Sequence, residues 1–79
     1  MRIISQDGCI DLPYENIALH REDGMIIAEV IGSEDGYVIA EYADERHAGS
    51  EMIRLRQEYE LGHTAFKFKD ELSYTMRKL

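Results

Sequence analysis

The sequence predicts an α+β domain: an antiparallel β-meander of about five strands, then one C-terminal amphipathic helix packed on one face. Three observations predict it. A polar-Asp-Gly signal recurs at Gln6-Asp7-Gly8, Glu22-Asp23-Gly24 and Glu34-Asp35-Gly36, each followed by an apolar stretch. Asp-Gly favours tight hairpins because glycine accepts a positive φ without steric cost. Ala48, Met52, Leu55 and Tyr59 recur at spacings of four, three and four, which is one helical face. The third observation is length: 79 residues allow one domain with a thin core.

The turns divide the first half into strands at about 1–5, 9–12, 16–21, 25–31 and 37–43. Short strands joined by tight turns give a meander rather than a parallel sheet. Pro13 cannot donate to a ladder, so Leu12-Pro13-Tyr14-Glu15 is expected to bend the chain out of the sheet. Asp44 is suited to cap the helix and Gly62 to end it. Residues 1–62 are expected to form the domain. Residues 63–79 are expected to be an extension, in which Phe66 and Phe68 alternate with lysines like a short strand. Leu72, Met76 and Leu79 then fall at helical spacing, so the extension reads as a strand plus a helical turn, or as an arm.

A loop at 32–36 fixes a register in which Ile31 pairs with Tyr37 and Ile27 with Glu41. One face of that hairpin carries Ile26, Ala28, Val30, Val38, Ala40 and Tyr42, all apolar or aromatic, and the helix is expected to cover it. The other carries Met25, Ile27, Glu29, Ile31, Tyr37, Ile39, Glu41 and Ala43. One helix covers one face, so this second face is the expected interface, with Met25, Ile27, Glu29, Ile31, Tyr37, Ile39 and Glu41 as its residues. Three covers for it remain open: the C-terminal extension, a second copy, or a different protein or ligand.

Hydrophobic residues make up 44% and charged residues 32%, a globular rather than a disordered composition. No apolar run approaches the roughly 18 residues of a membrane span, and Met1–Asp7 shows no signal-peptide core, so a cytoplasmic location is expected. The net charge of −7 is uneven: residues 1–43 hold nine acids and two bases, residues 63–79 two acids and four bases. An acidic front half repels a phosphate backbone, which disfavours direct duplex nucleic-acid binding and favours a basic protein partner.

Catalytic chemistry finds little material. The single cysteine, Cys9, has no histidine fixed near it, and no nucleophile elbow or phosphate-binding glycine loop is present. His20, His47 and His63 lack ligand spacing, so neither a metal nor a cofactor is expected. Glu29 and Glu41 sit on diagonal positions in the expected register and are the one candidate carboxylate pair. Arg46, Arg54 and Arg56 with Tyr42 and Tyr59 are the candidates for gripping an anion. Their ordinary role is in helix-surface pairs such as Arg54 with Glu51 or Glu58, and Arg56 with Glu60.

The opening Met1-Arg2-Ile3-Ile4-Ser5-Gln6-Asp7-Gly8, with Asp11 and Pro13-Tyr14-Glu15, resembles a group of short uncharacterised proteins of phages and prophages of Gram-positive bacteria, especially Firmicutes. Ile39-Ala40-Glu41-Tyr42 and the Met52-to-Tyr59 helix are similar to that group's second half, and Phe66 and Phe68 to its later aromatics. The resemblance covers about residues 1–68 and implies a mobile-element accessory protein with no enzyme activity. The expected function is therefore binding, as an anti-defence inhibitor of a host protein and as a homo-oligomer. The alternatives are a nucleotide-sequestering sponge, or a structural or assembly factor of a phage particle.

Overall fold

The computed structural model describes residues 1–71; the helical turn expected at Leu72, Met76 and Leu79 lies outside them. Among the described residues the fold is α+β, with six strands and one α-helix, but the strands form two three-stranded sheets rather than one meander. In the first sheet, β1 (Arg2–Ile4) lies between β2 (Asp11–Pro13), antiparallel to it, and β6 (Ala65–Lys67), parallel to it. The second is antiparallel, in the order β3 (Ile17–Glu22), β4 (Met25–Val30), β5 (Gly36–Glu41). The helix α1 (Glu45–Glu60) follows β5.

The meander breaks where Pro13 ends β2. A single 3-10 turn at Tyr14–Asn16 redirects the chain, so β3 opens a new sheet instead of pairing with β2. The first Asp-Gly turn is held by its own side chains. Buried Ser5 donates through Oγ to Asp7 Oδ1 at 2.6 Å, and Cys9 N–H donates to the same oxygen at 2.9 Å. These bonds, the Ser5 hydroxyl first, hold the Asp7 carboxyl below its ordinary value. The second turn has Asp23 at φ 50° and Gly24 at φ 84°, the two positive values of a type I′ hairpin. A Cβ on Gly24 would also strike the Tyr42 carbonyl oxygen, so this position requires glycine twice over.

The third turn differs from expectation. Gly32, not Gly36, takes the positive φ (87°), and Ser33 N–H donates to Val30 O at 3.0 Å. Gly36 becomes a strand residue opposite Glu29, with Ala28 opposite Tyr37 and Ile27 opposite Val38. Nearer the helix the register changes, with Ile26 opposite Ala40 and Met25 opposite Glu41. Ile39 is the extra residue of this bulge. Its side chain turns into the core at 2% exposure, beside Ala40 and Tyr42.

One core joins both sheets and the helix: Ile3, Phe66 and Phe68 from around the first sheet; Ile17, Ile26, Ala28, Ile39 and Ala40 from the second; Ala48 and Leu55 from α1. Phe66 and Phe68 pack edge to face at 5.0 Å. Phe66 and Phe68 are thus core material, with β6 hydrogen-bonded to β1. Asp44 caps α1 by accepting from Arg46 N–H at 2.8 Å, and Gly62 follows the helix at φ 82°.

The helix also carries a buried acid. Glu51 is 1% exposed, and Arg54 meets it with two bonds of 2.8 and 2.9 Å. Lys69 N–H donates to Glu51 at 2.7 Å, Arg54 donates to the Lys67 carbonyl at 2.8 Å, and the guanidinium lies 4.2 Å from the Phe66 ring centroid. The pair therefore fastens the last strand to the helix. Removing one member strands a buried charge, whereas removing both need not. Arg54→Met is expected to lower the unfolding free energy in urea by about 3 kcal/mol or more, and Glu51→Met together with Arg54→Met to recover part of that loss.

Candidate functional site

The register of the second sheet sorts its residues onto two faces. Ile17, Ile26, Ala28 and Ala40 are buried on one. The other faces outward and is built from Ala18, His20 and Glu22 of β3, Met25, Ile27 and Glu29 of β4, and Val38 and Glu41 of β5. Ile31 extends it, because its N–H donates to Asn16 O at 2.9 Å and continues the ladder. Ile31 is 68% and Val38 51% exposed, while Met25, between Glu22 and Glu41, and Ile27, beside Val38, are half-buried.

This open face is close to the expected interface but not identical with it. Met25, Ile27, Glu29, Ile31 and Glu41 belong to it. Ile39 does not, because the bulge turns it into the core. Tyr37 does not share it either, because it pairs with Ala28 of the buried face, although its ring remains exposed. Val38, expected under the helix, is on the open face instead. His20 and Glu22 were missed as members. The signal was present, since a two-residue turn at Asp23-Gly24 pairs Glu22 with Met25 and therefore His20 with Ile27.

His20 stands between two carboxylates, with Nδ1 at 3.8 Å from Glu29 and Nε2 at 3.9 Å from Glu22, beyond hydrogen-bond length. Glu29 and Glu41 do not meet. Glu41 lies opposite Met25, four residues along β4 from Glu29, a separation of about 13 Å at strand rise. The carboxylate pair of the expected register is not formed.

The arginines and tyrosines do not converge either. Tyr42 is buried, its hydroxyl donating to Lys69 O at 2.6 Å. Arg54 is turned onto Glu51, and Tyr59 packs against Tyr14 with ring centroids 4.8 Å apart. Arg46 wraps back on Asp44 at 2.8 Å. Arg56 is exposed and lines a groove beside β3. Among the described residues no His, Cys, Asp and Glu side chains cluster as a metal site, and no helix is long and apolar enough to cross a membrane. Comparison with protein-family models, with curated proteins and with solved structures finds no match.

Two outcomes follow from this geometry. Adjacent residues of β5 should respond oppositely to truncation: Ile39→Ala should cost about 2–4 kcal/mol of unfolding free energy, and Val38→Ala under about 1 kcal/mol. The second concerns acid. The Arg46 side chain first, and its N–H second, hold the Asp44 carboxyl down from 3.8 to about 2. A depressed folded-state value means that the Asp44 contribution is complete above about pH 4 and is lost as pH falls through about 2. Asp44→Asn keeps a capping oxygen without that titration. Circular dichroism of the helix should accordingly show a shallower acid limb for this variant than for the parent chain.

Proposed function

We propose that the chain is a non-enzymatic binding protein that docks a basic, partly apolar protein surface on the open face of β3, β4 and β5. The observation that supports it best is the make-up of that face. Half-buried Met25 and Ile27 with exposed Val38 form an apolar cluster, flanked by Glu22 and Glu41 at one end and by Glu29 at the other, and exposed Ile31 lies beyond Glu29. An apolar centre within a charged rim is the anatomy of a protein interface. No lysine or arginine belongs to this set, and the chain carries a net charge of −7, so the complementary surface is basic.

The same charges weigh on the choice of partner. Two copies meeting face to face would bring two sets of three glutamates together, relieved by His20 alone. A heterologous basic partner fits better than a second copy. The resemblance to phage accessory proteins agrees with a role in occupying a host protein. The nucleotide-sponge reading draws less support, because its arginines and tyrosines are dispersed over the molecule.

The test compares the parent chain with the Ile31→Glu, Val38→Glu double variant as affinity baits in a cell extract, with circular dichroism to confirm that both are folded. The parent is expected to retain a basic protein that elutes as salt rises, and the variant to lose it. Equal retention by the two, or elution indifferent to salt, would reject the reading. Sedimentation as a dimer that the variant dissolves would assign the face to a second copy instead.

A further inference from the structure

A second surface lies at the free edge of β3. This strand ends the order β3-β4-β5, so among the described residues one of its sides has no neighbour in the sheet. The bond from Ile31 N–H to Asn16 O sets the phase of the ladder, and the pairing from Ile17 with Val30 to Glu22 with Met25 continues it. Hydrogen-bonded pairs alternate in an antiparallel ladder. Ala18, His20 and Glu22 therefore turn their backbone groups towards β4, and Leu19 and Arg21 turn theirs outward. Among the described residues, no turn, loop or side-chain hydrogen bond takes up these outward groups. Ala18, His20, Arg21 and Glu22 are all exposed, so the edge is open.

Beside this edge a groove of about 300 Å³ separates β3 from α1, with Tyr14, Leu19, Met52, Ile53 and Arg56 in its walls. The helix runs antiparallel to β3. Arg21 lies across Gly49 and stands 3.6 Å from Glu45, near the start of α1, whereas Tyr59 packs at a tilt against Tyr14 at the other end. Arg56 consequently falls towards the Ile17 end of the strand. It differs from its neighbours: Arg46 and Arg54 are paired with acids, but among the described residues Arg56 has no carboxylate partner.

We propose that this edge and groove bind the C-terminal end of an extended peptide, added antiparallel to β3 as a fourth strand. The peptide's N–H and C=O groups pair with those of Leu19 and Arg21. Its side chains alternate, and those on the Leu19 side enter the apolar groove. Antiparallel addition brings its C-terminus to the Ile17 end, where the terminal carboxylate meets Arg56 in a charge-assisted bond. Direction, apolar periodicity and terminal charge are thus all specified by the chain. This site is separate from the open face and does not depend on it.

The experiment titrates the isotopically labelled full chain with N-acetylated hexapeptides in which threonine alternates with valine, isoleucine, leucine or phenylalanine. Each is made with a free C-terminal carboxylate and as the amide. The expected result is a shift of the Leu19 and Arg21 amide resonances by at least one free-acid peptide, with affinity about tenfold above its amide. Arg56→Gln, at an exposed helix position, should remove the difference between acid and amide. Backbone N-methylation of the peptide should abolish binding. Equal affinity of acid and amide, shifts confined to His20 and Ile27 of the open face, or no binding by any peptide would overturn the proposal. So would a dimer joined through β3, or the same shifts produced without peptide by deleting residues 72–79, since either would give the edge another occupant.

Discussion

The arrangement of this molecule depends on one extra residue in β5. Sheet faces alternate with a period of two, so an odd slip in register exchanges them entirely. Near the tip of the hairpin, Val38 opposite Ile27 faces outward. If that phase continued unbroken, Ala40 would also face outward and the chain would enter the helix with Tyr42 in solvent. The bulge at Ile39 resets the phase, so that Ala40 and Tyr42 are buried. Gln6 supports it from the first sheet: its N–H donates to Ile39 O at 2.8 Å, and its side-chain oxygen accepts from Glu41 N–H at 3.0 Å. The same side chain donates to Lys69 O at 3.1 Å, so one glutamine ties together β5, the end of β1 and the segment after β6.

Charge is used differently in the two halves of the structure. Around the second sheet the acids are exposed and weakly engaged. Between α1 and β6 a carboxylate is buried with its counter-ion and bonded to backbone N–H. Such a pair contributes little net stability compared with an apolar substitute. It does select one arrangement of helix and strand, because Arg54 reaches the Lys67 carbonyl and the Phe66 ring in the same pose. A three-residue strand held parallel to β1 has few ladder bonds of its own, and this clasp compensates for that shortness.

Local signals in the sequence placed the strands and the helix of the first sixty residues approximately, with β2 two residues early and Leu12 and Pro13 in the ladder rather than in a bend. The helix, its Asp44 cap and its Gly62 terminator stood out because capping and periodicity are properties of adjacent residues. The partition into two sheets was less legible. The bend at Pro13 was visible, but the pairing of β1 with β6 joins residues more than sixty positions apart and leaves no local trace. The third turn misled because two glycines, Gly32 and Gly36, compete for the left-handed position, and the Asp-Gly pair is normally the stronger signal. The resulting register error was odd at the tip and even beyond the bulge. That is why Ile26, Ala28, Ala40 and Tyr42 were assigned to the core correctly, while Val38 and Ile39 exchanged places. By its spacing alone Glu51 is a surface partner of Arg54. Its pairing was legible in the three-residue spacing, but its burial was not.

Gln6 has one more consequence. By occupying Ile39 O and Glu41 N–H it acts as a false strand along the outer side of β5. Exposed sheet edges are ordinarily templates for unlimited strand-by-strand growth. Here Gln6 covers two backbone groups on the β5 side while, among the described residues, the β3 side stays uncovered, so the two margins of this sheet are unequal and a head-to-tail stack of copies through β3 and β5 is opposed.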